Sequence, residues 1–351
     1  MINKLAIFLT LAIVFNSCST DFDVTGDYQE TMVVYGLLDA SQDTQYIRIS
    51  RGFISEDRSA LEIAQEPDSI YYLGEQLRVT IEQVSNGARF EFDQNTNLPK
   101  DSGIFAKAPH VVYSLANRLS ENESYKLVVE NIVTGKIVTA NTPMVKSFRL
   151  RQPSDVLQLA FTTSLVATFP NGNPQTIDVT FEAPVNGKVY DVGVRFYYRQ
   201  WEGAVVGPGD TMMVEYIFSR NLVSADASGG TPPPIVAKYT GQSLLSLMGS
   251  TLSKNPNITR EPLATPLEYV YYAGAPDLYN LLRTSQGQAG ITALEATPIY
   301  SNIEGGYGIF SSRFSKTRPQ VGISGPTKDS LKCGQYTRDL NFRVDVATSC
   351  N

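Results

Sequence analysis

A mainly β chain is predicted, with an antiparallel β-sandwich first and a second antiparallel β-rich domain with two short helices behind it. Three observations predict it. Apolar and polar residues alternate with a period of two through the first half, as on sheets with one buried and one wet face. Hairpin turn signals sit between such runs, and in the second half longer, aromatic-rich runs are parted by Pro/Gly loops.

Thr31 to Leu38 and Tyr46 to Ser50 supply the first two strands. In Gln76 to Val84, Leu77, Val79 and Ile81 alternate with Arg78, Thr80 and Glu82. Asn86-Gly87 is a strong two-residue hairpin signal, and the return run Ala88 to Asp93 alternates again through Phe90 and Phe92. A second hairpin runs from Tyr125–Val129 through Thr134-Gly135 into Lys136–Ala140. Short strands joined by turns, with no helical period among them, read as an immunoglobulin-like or transthyretin-like antiparallel sandwich over residues 28–143.

The runs Leu157–Thr168, Gln175–Phe181, Lys188–Trp201 and Thr211–Arg220 are longer and form the expected second sheet, within a domain of residues 144–318. Gly241–Ser253 groups its leucines on one side, and Ala275–Ser285 has Pro276 suited to a first helical turn with Leu278, Leu281 and Leu282 at helical spacing. Ala225–Pro234 is a loop, because Gly pairs and a Pro run cannot hold a ladder. Residues 319–351 are expected as a C-terminal tail.

The amino terminus is organised differently. After Lys4, Leu5 to Phe15 is apolar apart from Thr10, too short to cross a hydrocarbon layer that needs ~20 apolar residues. It reads as a signal-peptide core over residues 1–17, with the small Ser17 just before Cys18. Cleavage there would leave Cys18 as the first residue, its thiol open to conversion into an acylated thioether. At ~0.8 kcal/mol per buried CH₂, two or three chains hold a domain on a membrane durably. Residues 18–27 are then an acidic tether. The FNSC ending resembles that of Bacteroidota lipoproteins, and Asp21 and Asp23 resemble the export signal that sends such lipoproteins to the cell surface; a merely solvated tether is the plainer alternative.

The 351 residues are 42% hydrophobic and 18% charged, enough apolar content to bury a large core. The formal net charge of −6 argues against nucleic acid, whose binders carry a basic footprint. With one histidine, His110, the chain cannot build a multi-histidine metal site, so no metal or other cofactor is expected. No nucleophile motif accompanies that histidine, and the chain is read as a non-enzyme. Gly305, Gly306 and Gly308 lack the lysine and the strand-to-helix setting of a phosphate loop; they suit a tight turn leading into a strand. With Cys18 acylated, Cys333 and Cys350 remain, and a disulfide between them is the simplest arithmetic in an oxidising compartment.

One face of Lys188–Trp201 carries Val192, Val194, Phe196 and Tyr198; the other carries Arg195, Tyr197, Arg199 and the single tryptophan, Trp201. That second set is either a wet recognition row for a glycan, peptide or protein, or a face covered by the helices or the neighbouring domain. Three Asp-Ser/Thr-apolar triplets, beginning at Asp68, Asp210 and Asp329, resemble O-glycosylation sites of exported Bacteroidota proteins and would mark exposed loops.

The helix DLYNLL, a spacer, and the strand start SNIEGGYGIF (Ser301–Phe310), behind the lipoprotein signal and a sandwich, resemble an uncharacterised Bacteroidota outer-membrane lipoprotein family of unknown function over residues 18–316. Its members are often encoded beside SusC-like TonB-dependent transporters. The resemblance implies a lipid-anchored outer-membrane protein, an accessory or ligand-capture partner of such a transporter. A structural or assembly component of the cell envelope is the alternative.

Overall fold

The computed structural model describes residues 31–52, 58–101, 103, 106–153, 176–203, 207, 209–225, 232–286, 300–345 and 350. Cys18, Asp21 and Asp23, and the strand expected at Leu157–Thr168, lie outside them.

The first half folds as its alternation demands. Strands β1 (Thr31–Asp39), β2 (Gln45–Gly52), β3 (Leu77–Gln83), β4 (Arg89–Asn95), β5 (Val112–Leu115), β6 (Ser124–Asn131) and β7 (Ile137–Pro143) turn one row inward. Met32, Val34, Ile47, Ile49, Val79, Ile81, Leu127, Val129 and Val138 are fully buried. The β3–β4 hairpin closes at Gly87 and the β6–β7 hairpin at Gly135, both with the positive φ that those tight turns require. Two short helices, α1 (Ala60–Ile63) and α2 (Pro67–Ile70), separate β2 from β3. Strand β4 changes partner along its length: Arg89–Phe92 pairs with β3, and Asp93–Asn95 with β5. This corner joins the β1-β2-β5 layer to the β4-β3-β6-β7 layer, giving a sandwich-like unit.

The second half contributes β8 (Leu150–Gln152), β9 (Thr176–Phe181), β10 (Val189–Glu202), β11 (Asp210–Val223), β12 (Ile235–Thr240), β13 (Ile258–Gly274) and β14 (Tyr307–Val321), with helices α3 (Gly241–Thr251), α4 (Pro276–Gln286) and α5 (Gly325–Cys333). The whole is mainly β, with one large antiparallel-rich sheet, in the order β11-β10-β13-β14-β1-β2-β5-β4-β3-β6-β7, and a small one, β12-β9-β8. An aromatic core fills the space between the long strands and the small sheet. Phe181 packs on Phe148, Tyr190 and Tyr271 at centroid separations of 5.3–5.6 Å, and Tyr239 stacks on Phe218 at 4.5 Å. Helix α3, capped by Thr240 accepting from the Ser243 amide, buries Leu244, Leu245 and Met248 beside it.

Strand β14 ties the halves together. Tyr307–Arg313 runs parallel to Val33–Asp39 of β1, and the continuation to Val321 is antiparallel to β13. The SNIEGGYGIF stretch prepares this junction. Asn302 uses both ends of its amide on Phe310, accepting from the backbone amide and donating to the carbonyl, while Glu304 bridges to Thr139 at the free edge of β7. Gly308 stands so close to β1 that a Cβ would lie 2.0 Å from the Val34 carbonyl oxygen. The glycines serve the turn into β14 and its close packing on β1, where a Cβ on Gly306 would lie 2.7 Å from the Met32 carbonyl oxygen.

Residues after β14 enter the core rather than hang from it. Leu331 and Leu340 are fully buried, and Phe342 meets Phe196 and Tyr198 edge-on. Arg260, 1% exposed, donates to the Leu340 carbonyl, the Ser253 carbonyl and Gln200 Oε1, while its backbone pairs with Asn341 and Arg343. Cys333 and Cys350 form a disulfide, with Cα atoms 5.2 Å apart.

Candidate functional site on the outer face of the large sheet

The alternation of β10 fixes which side chains look out. Val192, Val194, Phe196 and Tyr198 are buried, so Asp191, Arg195, Tyr197 and Arg199 point to the opposite face. Register extends that face sideways: Arg195 stands opposite Glu215 of β11 and Glu268 of β13, Asp191 opposite Tyr272, and Gly274 opposite Arg313 of β14. Beyond lie Asp39, Leu37 and Tyr35 of β1, opposite Arg313, Ser311 and Ile309.

On this face Arg195, Tyr197 and Arg199 form a self-satisfied polar lattice. The Arg195 guanidinium donates to Glu215 at 2.8 Å, to Glu268 at 3.2 Å and to the Tyr272 hydroxyl at 3.1 Å. Tyr197 donates its hydroxyl to Glu268 at 2.8 Å, and Arg199 pairs with Glu261 at 2.5 Å. Burial alone would lower the Arg195 pKa; the hydrogen bonds to Glu215 and Glu268, with the Tyr272 hydroxyl beside it, outweigh that and raise it. Burial, then the hydrogen bond to Glu268, raises Tyr197. The row is half-buried and internally paired.

Trp201 departs from the expected wet row. The residue is 9% exposed, with Gly209 close against its ring: a Cβ on Gly209, next in register after the Gln200–Asp210 pair, would sit 3.2 Å from Trp201 Cε3. A pattern of two cannot register which neighbour closes on the strand's end. The glycosylation-like triplets also diverge. Thr211 is exposed and Ser69 half-buried, but Ser330 is 4% exposed and donates to the Pro326 carbonyl inside α5. Tyr271, in the tyrosine-rich run Glu268–Tyr272, faces the core, and Tyr272 faces out.

Helix α4 lies over the β14 and β1 end of this face and shapes two clefts. One, of about 570 Å³, is lined by Leu37, Asp191, Ile217, Arg220, Leu282 and their neighbours. The other, of about 420 Å³, lies towards Tyr35, Gln45 and Tyr46. Leu37, Leu278 and Arg313 line both. Arg313 Nε donates to Asp39 Oδ2 at 3.1 Å, and Asp39 is 2% exposed. Three further donors saturate that carboxylate: Ser315 Oγ on Oδ2, and the Ser41 amide and hydroxyl on Oδ1. Sequence reading missed this pair, which lies 274 residues apart in the chain; only the outward phase of Arg313 in an alternating strand hinted at it. His110 sits elsewhere, its Nδ1 3.4 Å from the Leu98 carbonyl oxygen. Among the described residues no three His, Cys, Asp or Glu side chains gather as metal ligands would.

A family model described as "Domain of unknown function (DUF4249)" matches residues 19–318, and the chain belongs to that family. No curated protein matches it. Among solved structures, the C-terminal globular domain of an oligosaccharyltransferase from Pyrococcus abyssi aligns at a TM-score of 0.26 and 11% identity, covering 71% of this chain and 49% of that one. The chain thus spans about half that structure's length, a similarity too slight to bear on fold or activity.

Proposed function

We propose that this DUF4249 protein is a non-enzymatic, lipid-anchored outer-membrane lipoprotein that captures a ligand beside a TonB-dependent transporter. The observation that carries the reading is Cys18, placed between a short apolar run and an acidic tether. A thioether with two or three acyl chains at that sulfur would confine the molecule to a membrane surface. Among the described residues no helix is long and apolar enough to cross a membrane, which leaves a lipid to do the anchoring in this reading. Asp21 and Asp23 would direct it to the cell surface. The broad sheet face with helix-flanked clefts gives such a protein a place to hold cargo, and confinement to two dimensions raises its effective concentration at the transporter, so a weak protein interface suffices.

Two experiments test it. Mass spectrometry of the native chain should find an acylated Cys18, and Cys18→Ser should move the protein to the soluble fraction. Pull-down from detergent-solubilised membranes should recover a β-barrel transporter; recovery of none would refute the partnership. The internal pairing of Arg195 and Arg199 favours a second reading, an assembly or structural component of the envelope. A ligand screen separates the two, since a capture protein gains thermal stability with its ligand and a scaffold does not.

A further inference from the structure

We infer that the clefts flanking α4 form one binding trough for a monoanionic amphipathic molecule, a carboxylate on an apolar body, with Arg313 as its anchor. The inference deepens the ligand-capture reading by naming the ligand's chemistry. Arg313 is held from behind: Asp39, buried and saturated by four donors, takes only its Nε–H. Its two terminal nitrogens have no partner among the described residues, and the side chain stays 45% exposed. A guanidinium fixed through Nε presents its remaining N–H groups as a preformed fork, the geometry that matches a carboxylate. Arg195, by contrast, spends all three nitrogens on Glu215, Glu268 and Tyr272.

The walls decide what the rest of the ligand is. Leu37, Ile217, Leu278 and Leu282 line the larger cleft, and Leu281 and Ile309 the smaller, so an apolar wall runs beside the fork, with Gln42, Thr44 and Gln45 on the polar side of the smaller cleft. At the far wall Glu215 and Asp191 are already ion-paired, with Arg195 at 2.8 Å and Arg220 at 3.8 Å, which leaves no unengaged cation there among the described residues for a second negative charge. Asp191 already accepts from the Asn221 amide, and the cation nearest it, Arg220, is 3.8 Å away and 67% exposed. Among the described residues Arg313 is then the one well-placed cation with donors to spare, which matches the single charge of a monocarboxylate and leaves the second charge of a phosphate dianion uncompensated. The volumes, about 570 and 420 Å³, lie in the range of small-molecule sites.

The test is calorimetric titration of the full chain carrying Cys18→Ser, without detergent, using butyrate, hexanoate and octanoate, with hexanol and hexyl phosphate as comparators. Affinity should rise about fourfold per added methylene. Hexanol and hexyl phosphate should bind at least about tenfold more weakly than hexanoate, the weight of one charge-assisted hydrogen bond. Arg313→Gln should cost hexanoate a similar factor. Because that change strands Asp39, Arg313→Gln with Asp39→Asn is titrated too. Leu282→Trp, which fills the larger cleft and leaves the ion pair alone, should abolish binding with the melting temperature kept. Hexanol binding as tightly as hexanoate, hexyl phosphate binding best, full affinity in a folded Arg313 or Leu282 variant, or no heat from any carboxylate would each overturn the proposal. Such a failure leaves transporter recovery in the pull-down untouched, so the two readings fall separately.

Discussion

Replacing Gly308 by alanine attacks the seam between the two halves of the molecule. Gly308 pairs with Val34, has φ +108°, and would place a Cβ 2.0 Å from the Val34 carbonyl oxygen and 2.9 Å from its carbon. An L-residue at that φ costs about 1–3 kcal/mol in backbone strain. Relieving the contact requires β1 and β14 to part by more than ~1 Å, which removes ladder hydrogen bonds and costs about 1–3 kcal/mol as overpacking does elsewhere. The sum centres on ~4 kcal/mol, a large share of the 5–15 kcal/mol typical of folded proteins. With a urea slope of ~3 kcal/mol/M, the unfolding midpoint should fall by about 1.3 M. Circular dichroism of Cys18→Ser protein in urea measures it. Gly325→Ala is the control: nothing lies within 4 Å of its Cβ position at the start of α5, so its midpoint should stay or rise slightly. A Gly308→Ala midpoint within about 0.3 M of the parent would refute the close-approach account of the motif.

Other consequences are as direct. Arg260→Met should cost ~3 kcal/mol, because the Leu340 and Ser253 carbonyls lose their donor, and should speed hydrogen exchange over residues 338–343; unchanged exchange there would show that Arg260 does not pin the C-terminal segment. Tyr239→Phe leaves the buried Tyr269 hydroxyl without its 2.6 Å partner and should cost about 1–2 kcal/mol, with the Tyr239→Phe, Tyr269→Phe double change costing less than the two singles summed in a thermodynamic cycle. Burial holds the Tyr239, Tyr269 and Tyr113 hydroxyls protonated above the free value of 10.0. The unfolded chain then releases protons that the native state keeps, so stability is intact below about pH 10 and declines as pH climbs above it; urea midpoints that do not fall between pH 9 and 11 would contradict this. Reducing Cys333–Cys350, which closes a separation of 17 residues, should remove ~3 kcal/mol on the chain-entropy model, read as a lower melting temperature with reductant.

The β character and most of the strands were legible because each half-buried strand writes its own alternation. Leu77, Val79 and Ile81 face the core as their spacing implies, and the turns at Gly87 and Gly135 announce their hairpins. Helices α3 and α4 were legible from leucines at helical spacing. Short strands such as β5 and β8 escaped, since three or four residues carry no period, and the small helix α5 was hidden in what composition marked as tail. In the candidate site, the outward phase of Arg195, Tyr197 and Arg199 was readable, but their mutual pairing with Glu215, Glu268 and Glu261 was not.

By itself, then, the sequence determined the local rules: which rows turn inward, where hairpins close, and that a cysteine closely follows the early apolar run. Tertiary structure alone decided that β14 pairs parallel to β1, that Trp201 is buried with Gly209 against its ring, and that Asp39 meets Arg313 across 274 residues. The reason is physical. Alternation and turn propensity depend on neighbours a few residues apart, whereas a salt bridge between strands, or a cleft beneath a helix, exists only once distant segments have paid their loop-closure entropy and packed.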